Sequence, residues 1–61
     1  MNIAMQLYRE TFGTMQYESL KKKVKLYDPR EWDDKLGTIT YVFSDGSTIG
    51  LREHDNKIIL S

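Results

Sequence analysis

The chain has 61 residues, nine basic and nine acidic, with no cysteine and one histidine, His54. A chain of this size makes one domain, 1–61, and buries only about 60% of the surface its unfolded form exposes. Disulfides and thiolate zinc are excluded as staples, so tight packing or self-association has to hold it. Zero net charge gives no long-range attraction to nucleic acid or to an anionic membrane.

No stretch approaches the roughly 18 apolar residues of a membrane span. The opening MNIAMQLYRE lacks the pattern of a signal peptide. With the absence of cysteine, this points to the cytoplasm.

The first 20 residues are rich in helix formers. Met1, Met5, Tyr8, Phe12 and Met15 fall on one helical stripe, and Tyr17, Leu20 and Val24 on another. The expectation is a helix over about 3–20, kinked or broken at Gly13. A pair of strands turning at Gly13 is the runner-up, because Tyr, Thr and Phe cluster there.

Val24 and Leu26 alternate through Lys23 to Tyr27, just ahead of Asp28-Pro29. Proline pushes the residue before it towards extended geometry, so 23–27 reads as a strand. Asp28, Pro29 and Glu31 then form a helix-start signature, and Gly37 a terminator. They predict a short helix over 29–36 with Trp32 and Leu36 on one face. Trp32 is expected to lid the core, with a tryptophan on a binding surface as the alternative.

The remainder reads as three strands, about 38–43, 47–53 and 57–60. A three-residue loop, Ser44-Asp45-Gly46, pairs Phe43 with Ser47, Tyr41 with Ile49 and Ile39 with Leu51, which places all five apolar residues on one face. The same logic at His54-Asp55-Asn56 predicts Glu53 opposite Lys57 and Leu51 opposite Ile59. Ile58 and Leu60 then fall on the opposite face, near Gly50 and Val42.

The fold class expected is α+β: an N-terminal helix (about 3–20) with a curved antiparallel sheet of strands about 23–27, 38–43, 47–53 and 57–60, and the short helix 29–36. The stretch VKLYDPREWDDKLGTITYVFSDG resembles the opening of an SH3-like small barrel. The resemblance implies an architecture alone, an all-β SH3-like small barrel as the alternative fold.

Candidate chemistry is sparse. His54 sits in a turn, with Ser44 and Ser47 at the other end of the neighbouring strand. Asp33 and Asp34 are adjacent and point apart on a helix. Gly13, Gly37, Gly46 and Gly50 make no phosphate loop. The residues therefore predict no catalytic, cofactor or metal site, and the chain reads as a non-enzyme.

The charge feature is the basic run Lys21, Lys22, Lys23 and Lys25, followed at once by the acidic stretch 28–34. Such runs are commonly solvated faces or strand-edge protection. The functional expectation is a small protein-binding module, a regulator or inhibitor of a larger protein of the phage or mobile-element kind. Lys21, Lys22, Lys23, Lys25, Tyr27 and Trp32 are its expected partner-binding residues. Val42, Ile58 and Leu60 are expected to mediate self-association, with a dimer favoured. The alternative is a small nucleic-acid-binding regulator that uses the Lys21–Lys25 patch and nearby aromatic side chains.

Overall fold

The computed structural model describes residues 2–11 and 13–61. Two helices, α1 (Ile3–Glu10) and α2 (Gln16–Lys25), precede four strands: β1 (Arg30–Asp33), β2 (Thr38–Val42), β3 (Thr48–Arg52) and β4 (Lys57–Leu60). The strands form one antiparallel open sheet in the order β1-β2-β3-β4. The architecture is α+β, an N-terminal helical segment followed by a sheet.

The helical segment breaks at Gly13, whose φ of 93° is the left-handed geometry glycine tolerates. The expected apolar stripe on the first half does not form the buried face. Ala4 and Leu7 are buried there, while Met5 and Met15 are exposed and Tyr8 is half-buried. Met1 and Phe12 of that stripe lie outside the described residues. The second stripe behaves as its spacing requires: Tyr17, Leu20 and Val24 are all buried, at i, i+3 and i+7 of α2.

The expected strand at 23–27 is helix up to Lys25. The restriction imposed by Pro29 acts on Asp28 alone, which takes the left-handed region at φ 49°, and it leaves Val24 free to complete the apolar face of α2. The expected helix at 29–36 is strand β1 and a turn. A two-turn helix has too few hydrogen bonds to stand without packing, whereas β1 gains a full ladder: Arg30 opposes Val42, Glu31 Tyr41, Trp32 Thr40 and Asp33 Ile39. Lys35 and Gly37 make the connecting turn with positive φ. Asp33 and Asp34, expected on a helix, brace this turn by accepting the backbone N–H groups of Lys35 (2.9 Å), Leu36 (2.8 Å) and Thr38 (3.2 Å).

The β2–β3 hairpin has the register expected of it. Tyr41 opposes Ile49 and Ile39 opposes Leu51. Phe43 donates its N–H to the Ser47 carbonyl across a three-residue loop in which Gly46 has φ 87°.

The β3–β4 hairpin differs by one residue. Arg52, not Glu53, opposes Lys57, so Leu51 faces Ile58 and Gly50 faces Ile59. Asn56 is left-handed as expected, but the loop holds four residues because Asp55 ties its two ends. Its carboxylate accepts from the Arg52 guanidinium at 2.8 and 3.0 Å and from the Lys57 N–H at 3.2 Å. Ile58 and Leu60 therefore pack against the core, and Ile59 alone of β4's apolar residues is on the far face.

The core is single-sided. Ala4, Leu7, Tyr17, Leu20 and Val24 from the helices meet Tyr41, Phe43, Ile49 and Leu51 from one face of the sheet. Asp45 and Ser47 fasten α1 to it. The Ile3 N–H donates to Asp45 at 2.8 Å and the Ala4 N–H to the Ser47 hydroxyl at 3.1 Å, while the N-cap Asn2 takes the Met5 N–H at 2.8 Å. Three of the leading amides of α1, which no helix can satisfy internally, are thus partnered.

Candidate interaction surface

In an antiparallel ladder, directly opposed residues share a face. The face away from the helices is therefore read off the register. Trp32, Thr40, Gly50 and Ile59 form a row straight across all four strands. Beside it run Arg30, Val42 and Thr48 on one flank and Thr38, Arg52 and Lys57 on the other. None of the described helices covers this face.

Gly50, in the middle of the row, is itself buried and adds no side chain to the face. A Cβ there would sit 3.4 Å from Thr38 Cγ2 and 3.5 Å from Ile59 Cβ. Trp32 stands at one end of the row, 63% exposed, and Ile59 at the other, 41% exposed.

The face is electrostatically one-sided. Its charged strand residues are Arg30, Arg52 and Lys57, while Glu31 and Asp33 alternate to the other side. Asp55 reaches Arg52 from the turn and holds its own carboxyl down to about 2 through that hydrogen bond. Arg30 and Lys57 stay without an ion pair among the described residues.

The residues expected from sequence to bind a partner do not converge. Lys21, Lys22, Lys23 and Lys25 lie on α2, in the layer behind the sheet. Lys21 pairs with Glu53 at 3.2 Å and Lys23 with Glu10 at 3.5 Å. Tyr27 follows α2 and meets Phe43 edge to face, ring centres 6.2 Å apart. Trp32 is on the open face and does not lid the core. Val42 is half-buried on that open face, while Ile58 and Leu60 face the core. Sequence reasoning misses Ile59 because the face of β4 depends on a loop length that no alternation in KIIL can fix, and Arg30 because Asp28-Pro29 reads as a helix start.

A concavity of about 580 Å³ lies between α2 and the turns, lined by Tyr17, Glu18, Lys21, Gly37, Glu53, His54 and Asn56. Its chemistry is quiet. Burial raises the Tyr17 phenol, and the hydrogen bond to Glu53 raises Lys21, so the phenol stays neutral and the amine stays protonated. Both shifts oppose use of either group as a nucleophile or base.

Among the described residues no helix is long and apolar enough to cross a membrane, and no group of three or more acidic, histidine or cysteine side chains could hold a metal ion. Compared with family models, curated proteins and solved structures, the chain finds no match.

Proposed function

We propose that the chain is a small non-enzymatic protein-binding module, a cytoplasmic regulator or inhibitor of a larger protein of the phage or mobile-element kind. It acts by contact through the open face of its sheet. The observation that carries this reading is the Trp32–Thr40–Gly50–Ile59 row, an uncovered face with an exposed tryptophan at one end and an exposed isoleucine at the other. Trp32 is the anchor, because contact energy concentrates in large aromatic side chains seated in pockets. Arg30 and Lys57 on the flanks favour a partner surface that is apolar at its centre and carries carboxylates at its rim.

The test is partner capture from the native cell, followed by titration of the purified partner. Trp32→Ala is expected to lower affinity by about tenfold or more, with the thermal midpoint unchanged, while Lys22→Ala leaves binding as it was. Equal binding by wild type and Trp32→Ala, or no partner captured, overturns the reading.

Single-stranded nucleic acid is the second reading, favoured by the positive sign of the face around a stacking platform. Contacts from Arg30 and Lys57 would give a log–log salt slope of about −1.4. A flat salt response, or no binding at low salt, removes it.

A further inference from the structure

The two edges of the sheet are unlike. β1 presents Arg30, Glu31 and Asp33 and is preceded by Pro29, all features that discourage strand pairing. β4 presents Ile58, Ile59 and Leu60 in succession, and Lys57 is its one charge. Hydrogen bonding alternates along an antiparallel pair. Thr48 and Ser61 exchange both bonds, so Gly50–Ile59 and Arg52–Lys57 are the other bonded pairs. The N–H and C=O of Ile58 and Leu60 consequently point out of the edge. No backbone or side-chain partner meets them among the described residues.

We infer that the outer edge of β4 pairs, antiparallel and about a two-fold axis through Ile59, with β4 of a second copy of this chain. The occupant follows from what that register brings together. Ile58 and Leu60 of each copy exchange four backbone hydrogen bonds across the axis. Ile59 meets its own counterpart on the open face. Lys57 falls opposite Ser61, so no like charges are opposed. Two half-buried residues, Ile58 and Leu60, extend the core cluster towards the second copy. Zero net charge sets up no long-range repulsion between copies. Because β1 is protected, pairing at β4 uses up the one available edge and closes at two copies. The inference goes beyond the open-face reading and holds or fails without it. If it holds, the two open faces join into one surface of eight strands.

Sedimentation and concentration-dependent hydrogen exchange of the whole chain test it. At about 100 µM, where even micromolar contacts are populated, a dimer is expected. The amides of Ile58 and Leu60 should gain protection as concentration rises, while the outward amides of Glu31 and Asp33 on β1 stay unprotected. Ile59→Lys opposes two ammonium groups across the axis and should raise the dimer dissociation constant by about tenfold or more. A synthetic chain with N-methylated Leu60, which loses the outward donor and keeps the side chain, should be a folded monomer. A wild-type monomer overturns the inference. So does a dimer with unprotected Ile58 and Leu60 amides, or one that survives both changes. None of these readings depends on Trp32 or on any other partner.

Discussion

Asp45 does more than turn the chain. Its carboxylate accepts the Ile3 N–H at 2.8 Å, the Ser47 N–H at 2.9 Å and the Ser47 hydroxyl. Hydrogen bonds from Ser47 and then from Ile3 hold its pKa down to about 2. Asp55, hydrogen-bonded to Arg52, is held to about the same value. A carboxylate whose pKa is lower folded than unfolded contributes stability above the unfolded value and loses it as pH falls through the folded one. The stability of the chain should therefore be level above about pH 5 and fall between about pH 4 and 2. Urea denaturation across that range checks this. Asp45→Asn should lower the thermal midpoint at neutral pH and flatten part of the acid limb, and an unchanged limb would refute the assignment. Sequence marks Asp45 as a turn residue and no more. Its contact with Ile3 spans 42 positions, and no local pattern encodes it.

At the scale of elements, legibility follows the strength of the local pattern. The β2–β3 hairpin is readable because Ile39, Tyr41 and Phe43 face a matching set, and a slip would bury threonines. β4 is not, because three successive apolar residues satisfy either face and leave the register to the clasp that Asp55 makes. The α2–β1 region misleads because Asp28-Pro29 imitates a helix start, while β1 is stabilised by its ladder to a strand elsewhere in the chain. Half of the candidate surface inherits that misreading, since Trp32 on a helix and Trp32 on β1 face different neighbours. Gly50 gives an element-scale prediction. A methyl group at this position would meet its first neighbour at 3.4 Å, ordinary packing, and the backbone φ lies outside the positive region. Gly50→Ala should leave the fold intact and stabilise it by about 0.5 kcal/mol through reduced unfolded-state entropy. It should also weaken partner binding by placing a methyl group in the middle of the row. Chemical denaturation and partner titration on the same variant separate these two effects.

For the whole molecule, one buried layer does all the holding. Among the described residues Leu7, Leu20, Val24 and Ile49 are its largest fully buried side chains. Leu20→Ala should cost about 2–5 kcal/mol, against a total of roughly 3–9 kcal/mol for a chain of this length. Its urea midpoint should collapse towards zero, and a midpoint near that of wild type would mean the helical layer contributes little. The attachment of α1 carries a consequence for the order of events. An eight-residue helix is marginal in water without outside support. Two of its leading amides wait for Asp45 and Ser47, which are in place only once the β2–β3 hairpin has closed. During synthesis α1 would therefore be made ahead of the sheet yet dock after it, waiting for a turn some forty residues downstream to receive it.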